Sequence, residues 1–204
     1  YRELRHVVKI QENYTDNLRI AKQRIKALLL HENLYARIKD CANNWSSSYI
    51  KALKTLSLPD GIRHRMDTLL LDLDYNRRQR ALNHGYLKEF LKAHPDISKN
   101  AELLKSIPGI GPITAASVLG KMGDPVNLRN QRELAGFVGL APTEHSTGDE
   151  VNRGPTSGWG DSRLRSLLIE SAWVAIRHDT ELDQFYNRIK NKNHPRGAAQ
   201  KAIT

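Results

Sequence analysis

The first thirty residues carry a regular hydrophobic pattern in which the inward positions are spaced alternately three and four apart. These positions are Leu4, Val7, Gln11, Tyr14, Leu18, Ala21, Ile25 and Leu28. Such spacing is the a/d seam of a heptad repeat, and the polar Gln11 is the kind of residue that can set its register. The pattern predicts a long helix that either pairs with a second chain as a coiled coil or packs on its own domain. The strict spacing favours the interface between chains.

A second long helix is predicted from about Ile62 to Ala93. Its apolar stripe comprises Ile62, Met66, Leu69, Leu70, Leu73, Leu82, Tyr86, Phe90 and Leu91. The turn residues Pro59-Asp60-Gly61 precede it, and Pro95 ends it because the residue before a proline disfavours helix. Residues 1–100 therefore read as one antiparallel helical region that serves dimerisation.

Residues 103–123 contain two short helical patterns joined by Pro108-Gly109-Ile110-Gly111. The pattern predicts a helix-hairpin-helix, in which glycines allow positive φ and the close approach of a phosphate. The amides at the start of the second helix would face that anion with the favourable end of the helix dipole. The candidate DNA-binding residues of this turn are Gly109, Ile110, Gly111 and Thr114. The simpler alternative is a helical turn with a glycine C-cap.

A short helix over 131–139 precedes a polar, glycine-rich stretch that runs to Gly160. A further helix is predicted to begin at Asp161 or Ser162, and at most a short hairpin is expected near residues 141–158. Arg163 and Arg165 would lie in the first turn of that helix, where the dipole disfavours cations. They indicate either an anionic partner such as phosphate or local pairing with a carboxylate.

The composition excludes several classes of protein and favours one kind of binding partner. The chain has 204 residues, 39% of them hydrophobic and 26% charged, which is typical of a globular protein. The single cysteine excludes an internal disulfide framework and a four-cysteine zinc site, and no segment approaches the ~20 apolar residues of a membrane span. We therefore expect a cytoplasmic protein without membrane partners. The formal net charge of +10 lies mostly in residues 1–100, which favours a polyanionic partner.

The glycine-rich stretch also contains residues that could carry chemistry. Ser146 and Thr147 each bring a hydroxyl, and Arg153 lies a few residues further on. Such a hydroxyl can attack phosphorus if its proton is removed and if cations stabilise the developing charge. Because Ser, Thr and Gly are common in surface loops, this pattern alone favours a plain loop.

Taken together, these motifs resemble the C-terminal part of the insertion-sequence one-hundred-ten family of transposases, the bridge-RNA-guided recombinases. The resemblance rests on Leu104-Lys105-Ser106-Ile107-Pro108-Gly109-Ile110-Gly111, on Phe137-Val138-Gly139-Leu140-Ala141-Pro142, and on Gly148 and Gly160 followed by Leu164-Arg165. It covers nearly the whole chain. Each piece is common, but their order and spacing are specific.

The resemblance implies a DNA transposase or site-specific recombinase that forms a covalent link to DNA through a hydroxyl. The family's nucleophile is a Ser directly before the loop glycine, a position that Thr147 occupies here, so either Thr147 or the neighbouring Ser146 would attack. DNA-binding roles for Arg153, Arg163 and Arg165, a guide RNA and homo-oligomerisation through the coiled coil are further expectations.

The resemblance also implies that the chain is a fragment. The family's RuvC-like domain, whose acidic residues bind divalent metal, would precede residue 1, and no metal ligand or cofactor is expected in this chain. Such a fragment should bind nucleic acid and associate without recombining DNA. We expect an all-α fold, with coiled-coil helices over 1–100 and a helical transposase domain over 101–204. A non-catalytic helix-hairpin-helix module of a repair or recombination protein is the alternative, and a purely structural coiled coil is a third.

Overall fold

The computed structural model describes residues 1–38, 45–127, 129–144, 147 and 153–192. Within these ranges the chain forms eight α-helices: α1 (Arg2–His31), α2 (Ser47–Thr55), α3 (Asp60–Ala93), α4 (Pro95–Lys105), α5 (Pro112–Met122), α6 (Gln131–Val138), α7 (Ser162–Ala175) and α8 (Thr180–Lys192). Two strands, β1 (Pro142–Glu144) and β2 (Arg153–Thr156), form an antiparallel pair. Short 3-10 turns occupy Tyr35–Ile38 and Pro125–Asn127. The all-α fold and the short hairpin that the sequence predicted are confirmed.

Local chemistry explains where the helices begin. The side chains of Ser46, Asn130 and Asp161 cap α2, α6 and α7 by accepting from the backbone amide three residues further on. Pro95 and Pro112 open α4 and α5 at a position where the missing N–H costs nothing. The sequence predicted α3 from about Ile62 to Ala93, the turn between α4 and α5 at 108–111, and the start of α7 at Asp161 or Ser162, each to within about two residues. No prediction was made for α8.

The chain divides into two compact units, one formed by residues 9–89 and the other by residues 1–8 with 90–204. In the unit of residues 9–89, one face of α1 packs on α2 and on one face of α3. The core comprises Leu18, Ala21, Ile25, Leu28, Leu29, Leu34, Ile38, Tyr49, Leu53, Met66, Leu70 and Leu73. The buried amide of Asn83 donates to Gln11 Oε1 at 2.8 Å, so the polar position of the heptad is satisfied by α3 of the same chain.

The predicted coiled-coil seam is thus buried inside the chain. Seven of its eight members are buried, Tyr14 being the half-buried exception, and those from Leu18 to Leu28 belong to the core just described. From Leu18 to Leu28, α2 and α3 of the same copy cover the seam, which favours a helix packed on its own domain; association of two chains through α1 stays a prediction. An amphipathic helix and a coiled-coil helix share the same period, so the spacing could not distinguish them.

In the other unit, α5 contacts both α4 and α7, and α6 contacts α7. Ala115, Ala116 and Leu119 of α5 are fully buried, as is Leu164 of α7. The Arg5 guanidinium donates to the carbonyl oxygens of Gly120 and Lys121, both at 2.9 Å, and so caps the C-terminal end of α5. The opposite end of α5, at Gly111, has no side-chain cap.

Candidate nucleic-acid interface

The turn between α4 and α5 requires glycine at position 109 for a packing reason. Gly109 has φ +89°, as the sequence predicted, and the amide of Ile110 closes the turn on the Ile107 carbonyl at 3.1 Å. A Cβ at this position would overlap the Ser171 carbonyl oxygen and lie 2.9 Å from Val174 Cβ. The missing side chain therefore lets the turn dock on α7. The phosphate contact that the sequence predicted for Gly109 stays a prediction.

Gly111 is the glycine whose surroundings are open. It is the N-cap of α5, its φ of −86° suits any residue, and a Cβ there would meet no atom within 4 Å. Pro112, the first residue of α5, has no N–H, so the amides of Ile113 and Thr114 are the first donors that the helix itself could present to an anion. Ile110 is half-buried, and Thr114 is only 9% exposed. Gly111 is half-buried, whereas Ile107, Pro108 and Gly109 of the same turn are exposed.

Arg165 joins α6 to α7. Its Nη1 donates to the carbonyl oxygens of Val138 at 2.9 Å and Gly158 at 3.2 Å. A cation in the first turn of α7 is therefore explained by carbonyls at the C-terminal end of α6, where the dipole favours positive charge. The sequence had offered a phosphate or a carboxylate as its partner. Arg163 is half-buried and has a partner of its own.

Two glycines let the backbones on either side of this junction come into contact. Gly139 ends α6 in the left-handed conformation at φ +73°, and a Cβ there would overlap the Trp159 carbonyl. A Cβ on Gly160, at φ +134°, would lie 2.5 Å from the Phe137 oxygen and 2.6 Å from the Gly139 nitrogen. The Asp161 amide also donates to Phe137 O at 3.1 Å. Residues 157–161 are thereby held against the end of α6.

Asp161 links the start of α7 to α5. Its Oδ1 accepts from the Leu164 amide and from Lys121 Nζ, both at 2.8 Å. Burial raises the pKa of the Asp161 carboxyl, but the hydrogen bonds from Lys121, Leu164 and the Arg163 amide, together with the Lys121 charge, outweigh burial and lower it. The carboxylate is therefore charged and committed to structure at neutral pH. This pair was not predictable from local patterns, because Lys121 and Asp161 are forty residues apart and belong to different helices.

The candidate hydroxyls lie in sequence between the two strands of the hairpin. Pro142 pairs with Thr156, Glu144 pairs with Arg153, and the Ser157 amide donates to the Ala141 carbonyl at 2.8 Å. Thr147 is solvent-exposed. Ser146 and the side chain of Arg153 lie outside the described part of the chain, so their predicted roles stay predictions.

Trp159 is the most exposed aromatic side chain near this hairpin. It is 83% exposed, and it lies between Gly158 and Gly160, both at positive φ. Trp173, on α7, is 37% exposed and packs edge-on against Tyr186 with 5.7 Å between ring centroids. Trp159 is therefore the most exposed of the three tryptophans.

Helix α7 contacts both the end of α6 and the turn between α4 and α5. Arg165 and Ser171 are six residues apart, so the α6 junction and the glycine turn dock on α7 within about 9 Å along its axis. Among the residues that the structure describes, no three His, Cys, Asp or Glu side chains come together as a metal site. Likewise, no helix in the described ranges is long and apolar enough to cross a membrane.

Comparison with known proteins assigns a class to this arrangement. Residues 101–187, from α4 to α8, match the Transposase IS116/IS110/IS902 family. The chain is 32% identical over 143 residues to the transposase for insertion sequence element IS1111A of Coxiella burnetii, which covers 70% of this chain and 36% of that protein. It is 37% identical over 102 residues to the transposase for IS1328 of Yersinia enterocolitica, covering 47% of this chain and 30% of the relative.

A third relative is named for gene inversion and not for transposition. The pilin gene-inverting protein of Moraxella bovis is 28% identical over 135 residues, which cover 65% of this chain and 38% of that protein. The chain thus spans between 30% and 38% of the length of these three relatives. The helical unit built on α7 is a transposase domain. The chain belongs to the IS110 family of transposases.

Proposed function

We propose that this chain is the part of a DNA transposase or recombinase that binds the DNA backbone and supplies the attacking hydroxyl. The family match over residues 101–187 carries the proposal, since it includes the glycine turn, the hairpin and α7. The names of the relatives include both transposition and DNA inversion, two forms of DNA recombination. They favour a recombining enzyme over a non-catalytic repair module.

Backbone contact is assigned to the open N-terminal end of α5. Gly111 has no side chain to shield the amides at this end of the helix, and these donors suit a phosphate oxygen regardless of the base sequence. Trp159, exposed beside the α6 junction, adds a surface on which a base or sugar can pack. Binding through these groups should depend steeply on salt and weakly on sequence.

The chemistry is assigned to the hydroxyl of Thr147 or Ser146. The oxygen attacks a backbone phosphorus, an oxygen–phosphorus bond to the protein forms, and the bond to the leaving sugar oxygen breaks. The hydroxyl proton leaves to a base, and the departing oxygen takes up a proton. The covalent link conserves the phosphodiester for rejoining. The exposure of Thr147 and its place in sequence between β1 and β2 support this assignment.

Binding is tested with the 204-residue chain and a labelled DNA duplex. Fluorescence anisotropy should give an affinity that falls linearly with the logarithm of salt, as expected for displaced counterions. Failure to bind any duplex at low salt would overturn the DNA-binding part of the proposal.

Chemistry is tested in a chimera in which this chain replaces the matching region of the Coxiella burnetii relative. A nicked suicide substrate should trap a covalent protein–DNA adduct, visible as a slow-migrating band. Thr147→Ala and Ser146→Ala, made separately, identify the nucleophile, and Thr143→Ala serves as a hydroxyl control on the same hairpin. An adduct that persists in the Ser146/Thr147 double variant contradicts the nucleophile assignment. A chimera that binds DNA yet never forms an adduct, while the parental protein does, supports the non-catalytic module.

A further inference from the structure

The unit of residues 9–89 brings basic residues of two helices together around Trp45. Lys22 Nζ of α1 lies 5.5 Å from the centroid of the Trp45 ring. Arg77 Nη2 of α3 donates to the Trp45 carbonyl oxygen at 2.9 Å. One aromatic residue thus fixes a lysine and an arginine that are far apart in sequence.

Two further cations extend this cluster. Lys26 is one helical turn from Lys22 on α1, and Arg80 is three residues from Arg77 on α3, so each lies on the same helix face as its neighbour. Lys26 and Arg80 are exposed, whereas Lys22 and Arg77 are half-buried. The result is a compact group of four cations, defined here as the Trp45 cluster: Lys22, Lys26, Arg77 and Arg80.

The cluster is electrostatically unfavourable as it stands. Burial lowers the pKa of Lys22, and the charges of Arg77, Arg80 and Lys26 lower it further. The nearby carboxylates on the same helices have local partners: Asp16 lies 3.8 Å from Arg19, and Asp74 pairs with Arg78. Like charges held together by a fold are stabilised when a multivalent anion binds among them.

We propose that the Trp45 cluster is a second nucleic-acid contact, which binds consecutive phosphates of a sugar-phosphate backbone. The identity of the polyanion rests on the proposed function, while the site itself rests on the convergence of α1 and α3 at Trp45. The excess of basic residues over 1–100 agrees with a role for this unit in binding. Lysine and arginine paired with an aromatic ring suit a backbone whose bases can stack alongside.

The test removes the two exposed cations, whose side chains form no hydrogen bond or ion pair within the described structure of this unit. The double variant Lys26→Gln/Arg80→Gln is compared with Lys51→Gln/Arg65→Gln, which removes the same charge from exposed positions on α2 and α3. Affinities of the whole chain for a DNA duplex, and separately for an RNA hairpin, are measured by anisotropy between about 50 and about 200 mM salt.

The cluster variant should bind about tenfold more weakly at low salt, and the slope of log affinity against log salt should fall by about 2, one step for each lost phosphate contact. The nucleic acid with the larger effect is the one that the cluster holds. Equal affinities and slopes in the two double variants would overturn the inference while leaving the proposed function intact. An unaltered chain that binds neither nucleic acid would overturn both.

Fluorescence gives an independent measurement. In Trp159→Phe/Trp173→Phe the remaining tryptophan is Trp45, whose emission should change on binding because Lys22 lies over its ring. The same change should be absent when Lys26 and Arg80 are also replaced. Emission from Trp45 that stays constant through saturation with duplex and with hairpin contradicts a phosphate site at this position.

Discussion

The two glycines of the turn between α4 and α5 should respond in opposite ways to alanine. Gly109→Ala places a Cβ against the Ser171 carbonyl and close to Val174, at a residue with φ +89°. Gly111→Ala places a Cβ in open space at φ −86°. The first change should therefore affect folding, and the second should affect what approaches the turn from outside.

The magnitude for Gly109→Ala follows from two contributions. Positive φ costs a residue with a Cβ about 1–2 kcal/mol. Overpacking against α7 costs about 1–3 kcal/mol more, because a backbone carbonyl cannot rotate away as a side chain can. We expect a loss of about 2–5 kcal/mol, which is a large part of the ~5–15 kcal/mol that stabilises a typical domain.

Gly111→Ala should change the free energy of unfolding by less than about 1 kcal/mol, since the weaker N-cap is partly offset by a less flexible unfolded chain. Urea unfolding followed by circular dichroism measures both variants, and anisotropy measures the duplex affinity of whichever stays folded. Gly111→Ala should weaken duplex binding while keeping its unfolding midpoint. Equal midpoints for the two variants would refute the packing role of Gly109. An unchanged duplex affinity of Gly111→Ala would refute backbone contact at α5.

Two further predictions concern stability. The pKa of Asp161 is lowered in the folded chain, so its contribution is present above the unfolded pKa and is lost as pH falls through the folded value. Asp161→Asn, which keeps a capping oxygen, should cost up to about 1 kcal/mol at neutral pH, and the difference should vanish well below pH 3.8; a constant difference would contradict the Lys121 pairing. Gln11→Leu should cost about 1–3 kcal/mol by removing the acceptor to which the Asn83 amide donates, and adding Asn83→Leu should recover part of it; strict additivity in the double-mutant cycle would contradict the hydrogen bond.

Helix positions were predictable because their signals are local. The apolar period of α1, the proline that follows α3 and the glycine that ends α6 each act within a few residues. The positive φ of Gly109 was predictable for the same reason, since a tight turn between helices needs such a residue. The order of these local motifs also carried the family resemblance.

The contacts of the same residues were decided by packing between distant segments. The period of the first helix predicts that one of its faces is buried. The structure shows that α2 and α3 of the same chain cover this face from Leu18 to Leu28. Gly109 meets Ser171, Arg165 meets Val138, and Lys22 meets Trp45 only after the chain has folded. Most helical segments and their apolar faces follow from the sequence alone, because helix formation and amphipathic spacing depend on residues that are close in the chain. The partner of each cation is decided by the tertiary structure. A backbone carbonyl, an aromatic ring and a phosphate can each bind a lysine or arginine, and only the folded chain shows which of them lies close enough.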